Sequence, residues 1–249
     1  LYYVGVKMLI DVHTHITDKK FDEDIEEVIE NSNCAVIINN GMNVEDNRKT
    51  IELGKKFSKV KVALGIHPYD IVKMDEKDIE AEIKFIAKQK IIAIGEIGLD
   101  FTYEEKEKQI KYFKEFLELA KKMDLPVIVH SRKAEKEVVE ILKEKNMKKV
   151  VMHCYCGKLE VGLEAEKLGF YFSIPPRLIT NKEFQELVKK ISITRILTET
   201  DAPYMGAEKG KRNEPGNVKQ TVRKIAEIKG MSEEEVENSI FMNYQKLFS

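Results

Sequence analysis

Five histidines are the residues of this sequence best suited to chemistry, and each follows a short apolar segment. His13 and His15 are separated by one residue, so on a strand both imidazoles project from the same face. His67, His130 and His153 occupy corresponding positions after later apolar segments. A single buried histidine is usually structural, but five at equivalent positions indicate a shared site.

Two carboxylates follow apolar segments in the same way, Glu96 and Asp201. Imidazole and carboxylate together are typical ligands of Zn²⁺, Mn²⁺ and similar cations. Four of the five imidazoles together with these two carboxylates already provide more ligands than one tetrahedral ion needs. We therefore expect two divalent cations per chain, Mg, Mn or Zn, that share a bridging carboxylate. Glu96 is the predicted bridge because its segment lies between the two groups of histidines.

The segments that must position these residues alternate in type. Eight short, β-branched runs are too short for helices and are predicted to be strands: 8–12, 34–38, 60–64, 91–95, 127–129, 150–152, 170–174 and 196–197. Amphipathic stretches between them are predicted to be helices: 22–31, 44–57, 75–89, 104–123, 133–145, 159–168, 181–190 and 218–229. Residues 232–248 add a final helix, with Ser232 as its N-cap and Glu235 completing a capping box.

Apolar strands separated by helices are typical of a parallel sheet that helices cover. Eight such units in 249 residues favour an α/β protein with a single (β/α)8 TIM barrel and an extra C-terminal helix. An open, doubly wound sheet is the alternative, but no Gly-x-Gly-x-x-Gly motif follows a strand. The carboxyl ends of barrel strands surround one mouth, so the predicted ligands should converge there.

The bulk composition excludes some classes of protein. The net charge is −1, from 42 basic and 43 acidic residues, which argues against coating nucleic acid or membrane through bulk electrostatics. Three cysteines without a disulfide framework favour a reducing, cytoplasmic location, and no run is long enough for a membrane helix. We expect residues 1–7 to be an N-terminal extension or an expression remnant, and residues 8–249 to form the barrel, as a monomer or small homo-oligomer.

Taken together, the ordered motifs resemble the TatD family of metal-dependent deoxyribonucleases, within the amidohydrolase-like barrels. A lone His-x-His motif is weak, but the full ordered set spans nearly the whole chain. The matching segments are residues 11–15 (DVHTH), 65–68 (GIHP), 95–100 (GEIGLD), 126–132 (PVIVHSR), 153–154 (HC), 199–203 (ETDAP) and 212–215 (RNEP).

The resemblance implies a role for each candidate ligand. Glu96 would bridge the two cations, and Asp201 would also take up the proton of the attacking water, so both are candidate catalytic residues. The implied ligand sets are His13, His15 and Asp201 for the first cation, and His130 and His153 for the second.

The resemblance also implies a nucleic acid substrate, bound as DNA ends or single strands. His67 and Arg132 would meet the substrate phosphate, because a guanidinium matches a phosphate bidentately. Arg212 and Glu199 are further candidate substrate-binding residues. The alternative role for Glu199 is to accept a hydrogen bond from a metal-binding residue and so hold that residue in position.

Other residues in the same loops carry less specific signals. Cys156 stands where the family commonly has serine, and we expect a packing thiol rather than a cation ligand. Phe101, Tyr103, Tyr155 and Tyr204 lie near the strand ends, where unpaired bases could stack on them. Packing in the core or rim is the expected role for most of these aromatic side chains.

Two alternative functions remain open at the level of sequence. The first is an amide or ester hydrolase on the same barrel, including one that deacylates aminoacyl-tRNA. Many such enzymes bridge their cations with a carbamylated lysine, where this chain has Glu96. The second is an inactive binding protein on a hydrolase scaffold. Such a protein would be expected to have lost ligands, and none is missing here.

Overall fold

The computed structural model describes residues 8–248, so the prediction for residues 1–7 lies outside the described residues. Eight strands are present: β1 (Leu9–Thr14), β2 (Cys34–Asn40), β3 (Val60–Leu64), β4 (Ala93–Asp100), β5 (Val127–Arg132), β6 (Val150–His153), β7 (Tyr171–Ile174) and β8 (Ile196–Thr198). They form one sheet in sequential order, and each neighbouring pair from β1 to β8 is parallel.

Helices follow the strands and cover the outside of the sheet. They are α1 (Ile25–Asn31), α2 (Val44–Lys56), α3 (Pro68–Lys73), α4 (Glu76–Ile86), α5 (Lys106–Met123), α6 (Glu135–Glu144), α7 (Leu159–Lys167), α8 (Lys182–Lys190), α9 (Val218–Lys229) and α10 (Glu233–Phe248). The prediction of a single (β/α)8 barrel with an extra C-terminal helix is confirmed. Ser232 and Glu235 also form the predicted capping box, through reciprocal hydrogen bonds at the start of α10.

The barrel closes where β8 returns to β1. The Thr198 hydroxyl donates to the Ile10 carbonyl at 2.5 Å. Beyond the assigned end of β8, the Asp201 N–H donates to the His13 carbonyl, and the His15 N–H donates to the Ala202 carbonyl, each at 2.8 Å. These two bonds extend the pairing beyond the assigned strand ends and bring the segment around Asp201 alongside His13, in β1, and His15, just after it.

The observed elements differ from the predicted ones mainly at the mouth. β4 continues to Asp100, although apolar character suggested an end near residue 95. The polar and glycine residues that weaken the apolar pattern are thus part of the strand. Helix α3 was not predicted, because its six residues are too few for a helical period to show. His67 is its N-cap, with its side chain accepting from the Tyr69 N–H, and Pro68 is its first residue, a position that favours proline.

The core consists of apolar strand residues packed against the inner faces of the helices. Helix α5 contributes Tyr112, Phe113, Phe116 and Leu117, all buried. Helix α10 packs near β8, where the Asn243 amide donates to the carbonyls of Ile193 and Ile196 at 2.8 Å each. Within residues 8–248, none of the helices combines the length and apolar composition needed to cross a membrane.

Candidate metal centre

Four ligand atoms from β1, β4 and the segment after β8 converge at the mouth. The Nε2 atoms of His13 and His15 are 3.0 Å apart. Glu96 Oε2 is 3.4 and 3.3 Å from these two nitrogens, and Asp201 Oδ1 is 3.5 and 3.4 Å from them. A tetrahedral shell with bonds of 2.0–2.1 Å places its ligand atoms about 3.3 Å apart. The spacing and the donor types therefore fit a divalent cation.

The other oxygen of Glu96 faces a second group of histidines. Glu96 Oε1 lies 2.8 Å from His130 Nδ1, and 3.7 Å from His153 Nε2 and from His67 Nε2. One carboxylate therefore touches both groups, with a different oxygen toward each. This is the arrangement that a bridging ligand requires.

Hydrogen bonds orient two of these histidines. His15 Nδ1 lies 2.9 Å from the Asn40 carbonyl, which can only accept, so Nδ1 carries the proton and the Nε2 lone pair is free. His153 Nδ1 lies 2.9 Å from Glu199 Oε2, and this contact directs the Nε2 atom of His153 toward Glu96. Metal-binding histidines usually carry such a partner on the far nitrogen.

The charge balance also favours cations. Glu96 and Asp100 are buried, and in residues 8–248 no lysine or arginine pairs with them. Burial instead raises the pKa of Asp11 to about 8 and the pKa of Glu199 well above its usual range. Burial raises the pKa of Glu96, but the surrounding imidazoles lower it more, so its pKa lies well below the usual range. Buried charges of this kind are normally paired or bind metal.

His130 lies between two of these carboxylates. Its Nδ1 faces Glu96, and its Nε2 lies 3.2 Å from Asp100 Oδ2. Burial lowers the pKa of His130, but the hydrogen bonds to Asp100 and Glu96 raise it to about 9. The proton on the Glu96 side occupies a place that a cation could take instead.

Glycines allow the ligand strands to approach one another. At Gly98, φ is +147°, and an added Cβ would lie 1.9 Å from the His130 carbonyl oxygen. At Gly65, a Cβ would lie 2.4 Å from the carbonyl oxygen of Glu96. Both glycines are therefore required for the backbone on either side of Glu96 to pack as it does.

Comparison with known proteins agrees with this geometry. A family model described as TatD related DNase matches residues 10–249. The chain belongs to the TatD family. Among its relatives, it is 36% identical to the uncharacterized metal-dependent hydrolase YabD of Bacillus subtilis, over 97% of this chain and 99% of that protein. It is 35% identical to human deoxyribonuclease TATDN3, over 96% of this chain and 94% of that one.

Solved structures carry the same fold. The TatD homologue YJJV from Escherichia coli superposes with a TM-score of 0.91 at 26% identity, covering 98% of this chain and 99% of that one. An organophosphorus hydrolase from Deinococcus radiodurans has a TM-score of 0.67 at 12% identity, covering 98% and 93% of the two chains. The second likeness concerns the barrel alone.

In this TatD-family chain, two of the predicted substrate-binding residues present free donors. His67 Nδ1 accepts from the Tyr69 N–H at 3.1 Å, so in the neutral ring Nε2 carries the proton. Burial lowers the pKa of His67 to about 4, which keeps the ring neutral. His67 Nε2 is thus a donor rather than a metal ligand. Arg132 is exposed at the end of β5, and its guanidinium has no partner in residues 8–248.

The other two predicted substrate-binding residues are engaged within the protein. The Arg212 guanidinium donates to both oxygens of Asp24, at 2.8 and 2.6 Å, and to Glu214 at 2.8 Å. These contacts indicate that Arg212 anchors the loop after β8. Glu199 is 0% exposed and accepts from His153 and from the Ser173 hydroxyl. Its complete burial leaves no surface for substrate, which favours support of His153 from behind.

Two buried acids lacked an assigned role in the sequence analysis. Asp100, the last residue of β4, orients His130 through its Oδ2 atom. Asp11 accepts from the His13 N–H at 3.2 Å and from the Thr200 N–H at 2.9 Å, so it fixes β1 against the segment that carries Asp201. The sequence signal for Asp11 is its parity with His13 and His15 on one strand. Cys156 is exposed and forms no disulfide, and its thiol interacts with that of Cys154.

Proposed function

We propose that this chain is a deoxyribonuclease that hydrolyses phosphodiester bonds with two divalent cations at the barrel mouth. The observation that carries the proposal is the position of Glu96, whose two oxygens face separate histidine groups. His13, His15 and Asp201 would hold one cation, and His130 and His153 would hold the other. The relative named deoxyribonuclease TATDN3 supports the choice of substrate.

When bound, two divalent cations polarise a phosphate and make water a stronger nucleophile near neutral pH. The protein must then accept a proton and hold the substrate. Asp201 suits the first task because its side chain is 16% exposed, whereas Glu96 is almost completely enclosed. The hydrogen bonds and charges of the neighbouring histidines outweigh burial and lower the pKa of Asp201, so it is ionised and able to accept.

His67 and Arg132 would bind the phosphate. The neutral His67 ring directs its Nε2–H toward the space beside Glu96, where a non-bridging phosphate oxygen can accept it. Arg132 follows His130 by two residues on β5, so the two side chains leave the strand on the same side. Its unpaired guanidinium can stabilise the charge that develops on the phosphate oxygens.

The direct test is hydrolysis of end-labelled single- and double-stranded oligonucleotides across Mg²⁺, Mn²⁺ and Zn²⁺, with chelator controls. We expect metal-dependent loss of nucleotides that chelator abolishes and added metal restores. Intact oligonucleotides together with turnover of N-acyl or aminoacyl-tRNA substrates would instead establish the amide or ester hydrolase. Fewer than one restorable cation per chain would favour an inactive binding protein.

A Glu96→Gln variant tests the bridge itself. Because Glu96 faces both histidine groups, the variant should retain one cation or none after dialysis, where the unmodified protein retains two. Metal content by mass spectrometry is the readout. The control is Glu52→Gln, which makes the same change on the exposed surface of α2. Two tightly held cations in Glu96→Gln would show that this residue does not bridge.

A further inference from the structure

A cavity of about 490 Å³ lies among the loops at the carboxyl ends of the strands, and Pro203 and Tyr204, which follow Asp201 closely in the sequence, line it. Its walls come from the loops after β1, β7 and β8. The residues important here are Lys20, Arg177 and Tyr204. A volume of this size can receive a group as large as a nucleotide, since pockets for small ligands begin at about 300 Å³.

Tyr204 is an exposed aromatic residue at this cavity. It is 46% exposed, whereas Tyr155, in the loop after β6, is buried in the core. The Lys20 ammonium lies 4.6 Å from the centre of the Tyr204 ring. The ammonium lies over one face of the ring, so an unpaired base would stack on the opposite face, as any base can on an aromatic ring.

Two cationic groups at this cavity are not neutralised. Lys211 pairs with Glu208, and Arg212 pairs with Asp24 and Glu214. In residues 8–248, by contrast, the Lys20 ammonium and the Arg177 guanidinium have no acidic partner. The cavity therefore offers two positive charges to an anion, although the protein as a whole is near neutral.

The turn that lines the cavity is hydrogen-bonded to the segment that carries Asp201. The Tyr204 N–H donates to the Asp201 carbonyl at 2.7 Å. The Asn213 amide ties the same turn together by donating to the carbonyls of Thr200 and Tyr204, at 2.7 and 2.8 Å. Tyr204 is thus held three residues from the proposed proton acceptor, within reach of a nucleotide next to the reacting phosphate.

We propose that Tyr204, Lys20 and Arg177 form a subsite for one unpaired nucleotide adjacent to the scissile phosphate. The base stacks on the Tyr204 ring, and Lys20 and Arg177 meet the neighbouring phosphate. This subsite rests on the proposed nuclease function and assigns particular residues to the binding of a single strand or frayed end, because a paired base cannot turn onto the ring.

A structural role for Tyr204 makes a different prediction. Its hydroxyl donates to Asp18 Oδ2 at 2.9 Å, which joins the loops after β1 and β8. Tyr204→Phe removes this hydrogen bond and keeps the ring, whereas Tyr204→Leu removes both. Stacking therefore predicts that only Tyr204→Leu is impaired, and a purely structural role predicts that both are.

The experiment compares kcat/KM for a single-stranded oligonucleotide with kcat/KM for methyl p-nitrophenyl phosphate, a phosphodiester without a base. The ratio should fall about tenfold in Tyr204→Leu and remain near its original value in Tyr204→Phe. An oligonucleotide with an abasic residue beside the scissile phosphate should show the same loss with the unmodified protein. It should show little further loss with Tyr204→Leu, because the stacking contact is already absent.

Arg177→Met tests the phosphate contact. It should reduce the salt dependence of oligonucleotide KM by about 0.7 in the log–log slope, the value for one phosphate contact on a single strand. Arg223→Met, on α9 and paired with Glu233, makes the same charge change and should leave the slope unaltered. Equal slopes in all three proteins would overturn the assignment of Arg177.

The failures of the two proposals differ. If neither the oligonucleotide nor the simple diester is hydrolysed with any divalent cation, the nuclease function is wrong. If both are hydrolysed and the ratio is the same in Tyr204→Leu as in the unmodified protein, the function stands and the subsite is wrong.

Discussion

The two halves of the candidate centre are built differently. On the side of β1 and β8, His13, His15 and Asp201 are positioned by main-chain hydrogen bonds across the barrel closure, and His15 is oriented by the Asn40 carbonyl. On the side of β5 and β6, His130 and His153 are each held by the side chain of a second acid, Asp100 or Glu199.

The two halves should therefore respond differently to substitution. No side-chain substitution removes the carbonyl that orients His15, and the acid behind this half, Asp11, accepts from main-chain N–H groups and the Thr200 hydroxyl rather than from a ligand ring. The β1–β8 half should therefore respond mainly to loss of its own ligands. The β5–β6 half should also respond to substitution of the two acids behind its ligands, Asp100 and Glu199. The predictions below test this contrast.

The largest effect is expected for Asp201→Asn, which acts on the β1–β8 half. Loss of the proposed proton acceptor should lower kcat by about 10²–10⁴-fold. The fold should be retained, because Asp201 lines an open mouth and asparagine tolerates its left-handed backbone, with φ of 53°.

Steady-state kinetics and circular dichroism check this prediction. Asp124→Asn is a matched control, since Asp124 has the same backbone conformation, φ 53°, and its side chain is exposed after α5. An Asp201→Asn variant that keeps most of its activity would remove Asp201 from the role of proton acceptor.

Next in size are Asp100→Asn and Glu199→Gln, which act on the β5–β6 half. Each should weaken metal binding or activity by about 10–100-fold, because a histidine loses the acid that orients it. Competition with a chromogenic chelator measures the affinities, with Glu52→Gln as control. If both substitutions leave the affinities within about twofold, the contrast between the halves is wrong.

A smaller effect is expected for Arg132→Met at the end of β5. Loss of one charged hydrogen-bonding group should raise the KM for oligonucleotides by about tenfold. Arg223→Met on α9 carries the same change of charge and should leave KM as it was. Equal KM values for the two variants would exclude Arg132 from phosphate binding.

The smallest effects concern stability and compare two hydroxyls that serve buried acids. Thr200 donates to Asp11 and Ser173 donates to Glu199. Asp11 retains two main-chain donors in Thr200→Val, whereas Glu199 retains only His153 in Ser173→Ala. Both substitutions should lower the free energy of unfolding by about 1–3 kcal/mol, and Ser173→Ala by more. Urea unfolding with chelator present measures both; the reverse order would contradict this comparison.

Much of the fold could be predicted from sequence because barrel strands and helices have distinct periods. The convergence of His13, His15, Glu96, His130, His153 and Asp201 followed from their position after strands. The burial of individual side chains and the pairing of residues far apart in the chain could not be predicted from the sequence. Glu199 differs from Asp201 in burial rather than in sequence pattern, and Arg212 pairs with Asp24, far away along the chain. Tyr155 and Tyr204 likewise occupy similar loops, yet only Tyr204 is exposed.

The closure between β1 and β8 has a consequence for the newly made protein. His13 and His15 are synthesised well before Asp201, the partner that completes their cluster. The proposed nuclease centre cannot form on a ribosome-bound fragment that lacks the last strand. Cleavage of DNA would therefore begin only after the last strand has been made and the barrel has closed.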